Sequence, residues 1–151
     1  MVEADPHDAP SMLYAVKRLE LAIRAQLDDM LATSGVTTLQ YTALTVLEHV
    51  DGISAAQLAR KSFVTPQAMA DMLRALEDRG LIRRSPNPDS KRERLVHLTD
   101  QGHALLRRFS GAADDIARRM TSRLTEAEVR AFRHALGTAW TTLGSSEVHA
   151  P

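Results

Sequence analysis

The chain has 151 residues, 44% of them hydrophobic and only 4% aromatic, with 19 Lys and Arg against 19 Asp and Glu and no cysteine. That length supports one domain, or one with an added module, around a core of Leu, Ala, Val, Ile and Met. The missing cysteines exclude a disulfide framework, a thiolate metal site and a thiol redox sensor.

Residues 1–9, "MVEADPHDA", read as a flexible tail without signal-peptide character. From Ser11 the apolar residues Met12, Val16, Leu19, Ile23, Leu27 and Met30 recur every three to four positions, the repeat of an amphipathic helix that ends by Gly35. Thr38 starts a second helix with Leu39, Ala43, Val46, Leu47 and Val50 on one face and Gly52 as its stop. Ser54 and Gln57 make a capping box for a short third helix with Ala55, Leu58 and Ala59 inward. Thr65 caps a fourth helix whose first position is Pro66, where a missing N–H costs nothing, and Gly80 closes it. Helix, short turn, helix is a weak signal in itself, since helical bundles contain many such pairs.

The next stretch strengthens it. "LIRRS" and "ERLVHL" alternate apolar and polar residues across a Pro-rich loop, as two antiparallel strands would. A hairpin placed directly behind a helix-turn-helix is a wing. Thr99 then opens a long helix through about Arg123, with Leu105, Phe109, Ala112, Ile116 and Met120 on one stripe. Thr125 and Glu128 box the start of a last helix that turns Val129, Phe132, Leu136, Ala139, Trp140 and Leu143 inward, and residues 145–151 form a second flexible tail. The expected fold is mainly α with a small β-hairpin. No apolar run approaches the roughly 20 residues of a membrane span, so a soluble cytoplasmic protein without a membrane partner is expected.

Zero net charge hides an asymmetry. Residues 1–53 carry three cations against eight acids, a net −5; residues 54–97 carry nine against five, a net +4; the remainder is +1. Much of the excess lies in "RRSPNPDSKRER", where Lys91, Arg92 and Arg94 follow the turn and would reach phosphates and a narrow minor groove. On the fourth helix Met69, Met72, Leu73 and Leu76 form the buried stripe, leaving Gln67, Asp71, Arg74 and Asp78 outward beside Ala68 and Ala75. Small residues with a few planar hydrogen-bonding groups suit the major groove, where Gln pairs with adenine, Arg with guanine and a carboxylate with cytosine. Gln67, Ala68 and Asp71 rank above Arg74 because the N-terminal half of a recognition helix does most of the reading. Asp71 with Arg74 would equally make an i,i+3 ion pair on a solvated face. Thr65 and Pro66 are helix-start chemistry, and the first N–H groups there also suit a phosphate oxygen.

This order of elements resembles the MarR family of bacterial winged-helix regulators from about Ser11 to Leu143. "LEDRGLIRR" and "LVHLTDQG" carry the resemblance most specifically. It implies double-stranded DNA as partner, and a homodimer whose helices at 10–36 and 99–144 form the dimerisation region beside a winged helix-turn-helix lobe at 37–98. It further implies a repressor of nearby genes on a pseudo-palindromic operator, released by a small aromatic or phenolic effector near Tyr14, Arg18 and Tyr41. The family's wing carries Asp-x-Arg; here Arg92 takes the Arg position, but Ser90 stands where the Asp is expected, with Asp89 one residue early.

An enzyme is not expected. The six histidines include no His-x-x-x-His pair, and there is neither a phosphate-binding Gly-rich loop nor a Gly-x-Ser-x-Gly turn, so no cofactor or metal is expected. The alternative is a winged-helix module that binds protein instead of DNA. Such a module should carry apolar residues where 67–74 is polar.

Overall fold

The computed structural model describes residues 7–8 and 10–144, so the expected tails lie outside the described residues except at positions 7 and 8. In chain order the elements are α1 (Met12–Leu31), α2 (Thr38–His49), β1 (Ile53–Ser54), α3 (Ala55–Lys61), α4 (Pro66–Asp78), β2 (Ile82–Asn87), β3 (Ser90–Leu98), α5 (Asp100–Thr121) and α6 (Glu126–Gly144). One compact unit ends at Ala113 and a second begins at Asp114, a division that falls inside α5.

Local chemistry accounts for the helix starts. Ser11 caps α1, Ser54 and Gln57 close the expected box on α3, and Thr125 and Glu128 close theirs on α6. A third box, Thr37 with Gln40, starts α2 one residue before the Thr38 of the sequence reading. Adjacent threonines hide which one is the cap.

The first unit holds the core. Leu44, Leu47, Leu58, Met69, Leu73, Leu76, Ile82 and Val96 are fully buried. The α4 stripe is as expected, with Met72 only half-buried. The face of α2 differs: Tyr41, Ala43, Leu44 and Leu47 turn inward, while Leu39 and Val50 are exposed. The sheet also exceeds the expected hairpin. Ile53 and Ser54 pair with Val96 and Leu95 of β3, giving three antiparallel strands in the order β1-β3-β2. Two residues of strand are too few for an alternation to show in sequence. On α5, Leu106 and Phe109 are buried, whereas Ala112 and Met120 of the expected stripe are exposed.

Both helices of the helix-turn-helix end in the same closure. At α4 the Leu81 N–H donates to the Leu76 carbonyl (3.0 Å) and the Gly80 N–H to that of Glu77 (2.9 Å), with Gly80 left-handed at φ 72°. At α3 the Val64 N–H donates to Ala59 (3.1 Å) and the Phe63 N–H to Arg60 (3.4 Å), with Phe63 left-handed at φ 60°. Glycine fits this position without strain; a side chain there costs about 1–2 kcal/mol. The end of α4 is also tied down. Arg79 donates to the Ser34 carbonyl in the α1–α2 turn at 2.9 Å.

In the second unit, α6 buries no residue. Val129 and Phe132 are half-buried, but Leu136, Trp140 and Leu143, expected inward, are 47%, 58% and 72% exposed in the single chain.

Candidate nucleic-acid interface

The start of α4 is built by Thr65, whose hydroxyl accepts the Ala68 N–H at 3.1 Å, and by Pro66 behind it. That fixes the direction of the helix and leaves Gln67, Asp71 and Arg74 exposed, with Ala68 half-buried between them. Arg74 is ion-paired with Asp71, so the i,i+3 pair weighed from the sequence is present. Both side chains are more than half exposed, and such surface pairs stabilise by only about 0–1 kcal/mol. The guanidinium is therefore held loosely and can exchange its partner for a phosphate or a base edge.

The wing differs from expectation in one respect. Lys91 and Arg92, expected in the loop before the second strand, lie on β3 with Arg94, because the ladder runs out to Asn87 opposite Ser90, with a register irregularity after Pro86. All three remain exposed. The tight turn is made by side chains acting on backbone: Asn87 Oδ1 accepts the Asp89 N–H at 2.9 Å, and Ser90 Oγ accepts the N–H groups of Arg92 and Glu93 at 3.3 Å. Ser90, standing where the family's wing carries Asp, thus holds the backbone of Arg92.

Between α4 and the wing lies an open hollow of about 240 Å³ lined by Arg74, Glu77, Asp78, Arg84 and Arg94. Arg84 pairs with Glu77 at 2.9 Å, and Arg94 donates to the Arg84 carbonyl at 3.2 Å. Three arginines from three elements converge there on two acids. Sequence reasoning missed Glu77 and Arg84 as a unit. The pair forms only because β2 turns back along α4, and nothing in the spacing of seven residues announces it.

The base of the wing is braced by a further trio. With its hydrogen on Nδ1, His97 donates to Asp51 at 3.0 Å and accepts the Ser85 hydroxyl on Nε2 at 2.8 Å; Asp51 also accepts the Leu98 N–H at 2.9 Å. Serine, histidine and carboxylate in line is a catalytic order in other proteins. Here Ser85 lies within the β2–β3 ladder opposite Leu95, and the line joins the loop after α2 to both wing strands. Burial works against charge on Asp51, yet hydrogen bonds from His97 and Leu98 and the positive field of Arg83 hold its carboxyl below the usual range.

The residues expected around an effector are placed separately. Arg18 lies over the Tyr14 ring, 5.9 Å from its centroid, on exposed α1, whereas Tyr41 is 8% exposed inside the core. A larger hollow, about 450 Å³, lies elsewhere, lined among others by Ser54, Gln57, Arg60, Asn87, Asp89 and Glu93. Among the described residues no cluster of three His, Asp or Glu could hold a metal, and no helix is long and apolar enough to cross a membrane.

Comparison with known proteins converges on one family. The MarR family model matches residues 36–93, which run from α2 into the wing. An HTH-type transcriptional repressor of Mycobacterium tuberculosis is 35% identical over 129 residues, covering 85% of this chain and 92% of the relative. A Mycobacterium tuberculosis MarR family protein in complex with salicylic acid superposes with a TM-score of 0.69 at 32% identity, over 87% of this chain and 98% of the other. A mutant MarR of Escherichia coli complexed with operator DNA superposes with a TM-score of 0.74 at 26% identity, over 82% and 89%.

Proposed function

The chain belongs to the MarR family of transcription regulators, and from that premise we propose that it is a homodimeric repressor reading a pseudo-palindromic operator with α4 and the wing. It is a DNA-binding regulator; the dimer, the operator and the individual contacts are the proposed part. One observation supports the reading above the rest. The polar outer face of α4 continues across the arginine-lined hollow into the exposed cations of β3. A protein-binding face would be expected to be apolar at its centre.

In this reading Gln67, Ala68 and Asp71 face base edges and Arg74 exchanges Asp71 for DNA, while Thr65 and Pro66 bring the first N–H groups of α4 to a phosphate. Arg92 enters the minor groove, and Lys91 and Arg94 lie on phosphates. Dimerisation through α1, α5 and α6 covers the apolar residues that the single chain leaves exposed, including Met12, Leu13, Trp140 and Leu143. Two lobes related by a two-fold axis then select half-sites about one helical turn apart.

An aromatic acid relieves binding by favouring a lobe spacing that mismatches the operator. Arg18 with Tyr14 supplies a cation and a ring for it on α1. Salicylate, which a relative of 32% identity binds, is the probe.

The test is a mobility shift on duplexes from the region upstream of the protein's own gene, with and without salicylate. Saturable binding that salicylate weakens supports the whole reading. Binding that a broad set of aromatic acids leaves untouched removes the effector alone, and no saturable binding to any duplex removes the operator reading.

A further inference from the structure

We propose that His97 is a positioning residue for DNA recognition, and that the line from Asp51 through His97 to Ser85 sets the angle at which the wing presents Arg92. All three act from the base of the wing, without a contact to DNA of their own. The proposal rests on the DNA-binding reading of the wing.

The wing is held unevenly along its length. Its inner half is a three-stranded sheet, since β1 pairs with β3 at Leu95 and Val96. Ile82, Val96 and Leu98 of that half belong to the buried core. From Arg94 outward, among the described residues, β3 pairs with β2 alone, as far as Asn87 opposite Ser90. Two-stranded ribbons vary most in twist. Arg92 lies five residues out from His97, an arm of ~16 Å at the rise of a strand. A twist change of about 10°, within the ordinary spread, swings the end of such an arm by ~3 Å. The minor groove is only about 6 Å wide, so the base of the wing decides whether Arg92 enters it.

His97 sits where that base can be fixed. By strand alternation Arg83, Ser85, Leu95 and His97 share the face of the ladder opposite the core. On that face His97 accepts the Ser85 hydroxyl at 2.8 Å, a diagonal tie between the two wing strands. On its other side it donates to Asp51 at 3.0 Å, which ties both strands to the loop after α2. That loop is itself fixed to β3. The Gly52 N–H donates to the Val96 carbonyl at 3.0 Å, and Asp51 accepts the Leu98 N–H at 2.9 Å. The His97 ring also lies close on Gly52, where a Cβ would stand 3.0 Å from its Cε1. Such half-exposed hydrogen bonds contribute little to stability, but at both ends of a planar ring they fix direction. An apolar side chain would fill the same space without fixing it.

The experiment measures affinity of the full chain for the upstream duplex by fluorescence anisotropy, in His97→Leu, Ser85→Ala and Ser85→Thr, each with and without Arg92→Ala. His97→Leu should raise Kd about tenfold when Arg92 is present and less than about twofold in Arg92→Ala, because the line acts through that arginine. Ser85→Ala, which removes only the Nε2 bond, should show the same coupling in smaller degree. Ser85→Thr keeps a hydroxyl and should bind as the wild type does. Footprinting separates the grooves: in His97→Leu, hydroxyl-radical protection in the minor groove at the wing should fade, while protection of guanine N7 in the major groove under α4 stays. Should His97→Leu melt below the assay temperature, Ser85→Ala carries the same comparison. Wild-type affinity in both His97→Leu and Ser85→Ala, losses that add to that of Arg92→Ala, or equal fading of both footprints would overturn the proposal and make His97 a residue of the fold alone. Failure of the wild type to bind, or full affinity in Arg92→Ala, would instead overturn the reading of the wing on which it rests.

Discussion

The winged lobe and α6 are written in the same pattern and end differently. Both repeat apolar residues every three to four positions. In the lobe that repeat puts Met69, Leu73 and Leu76 fully out of solvent, in one core with residues of α2, α3 and the sheet. In α6 the same repeat leaves Trp140 and Leu143 more than half exposed. Periodicity thus specifies a helix with an apolar face, and says nothing about whether the covering surface lies in the same chain. The lobe completes itself. For α6 the proposed completion is a second copy.

Two substitutions of similar chemistry sharpen that contrast. Leu73→Ala should cost about 2–5 kcal/mol, the range for emptying a closed core position, with the same loss at every protein concentration. Trp140→Ala would change stability by no more than about 0.5 kcal/mol if the chain worked alone, as exposed sites do. The dimer reading predicts a larger loss that grows on dilution, because folding and association are then linked. Urea melts at two concentrations a hundredfold apart decide between them. Concentration-independent melts for Trp140→Ala would leave α6 without a partner.

A third substitution separates reading from folding within the lobe. Gln67→Ala should leave the melt unchanged, since the side chain is exposed. It should cost about 1–3 kcal/mol of discrimination at one base pair per half-site, measurable by competition with single-base variants of the operator. A uniform loss across all variants would reassign Gln67 to the phosphate backbone.

The smallest effect concerns the brace under the wing. The Asp51 carboxyl is held below its ordinary 3.8, so its stabilisation is present above that pH and fades as the pH falls through the folded value. The side chain is half exposed and solvent screens it, so the effect should stay under about 1 kcal/mol. Asp51→Asn should lower the Tm slightly at pH 7, and the gap should narrow as the pH falls below 3.8. A gap that stays constant on acidification would mean that shape rather than charge sets the contribution of Asp51.

The elements most legible in the sequence were those that carry their own signal. Ser54 with Gln57, Thr65 with Pro66 and Thr125 with Glu128 announce helix starts, because each cap acts within four residues. The stripe of α4 was legible for the same reason. What could not be read depends on residues distant in sequence. β1 exists because Ile53 meets Val96, the brace because Asp51 meets His97, and the α4–wing tie because Glu77 meets Arg84. The basic wing was legible as composition, but Lys91 and Arg92 were expected in the loop. The ladder past Leu95, with Pro86 inside β2, places them on a strand.

The central claim, that α4 and the wing read DNA together, is tested most directly by the salt dependence of binding. Anisotropy of a labelled operator duplex, titrated between 50 and 200 mM salt (about a 10³–10⁵-fold span for six to ten phosphate contacts), compares the wild type with a doubly substituted Lys91→Ala, Arg94→Ala wing. The account predicts steep wild-type dependence and, in the variant, a slope shallower by about one unit per lost phosphate contact in each lobe, with an unchanged melt. Equal slopes and affinities in the two proteins would remove the wing from the interface and contradict the account.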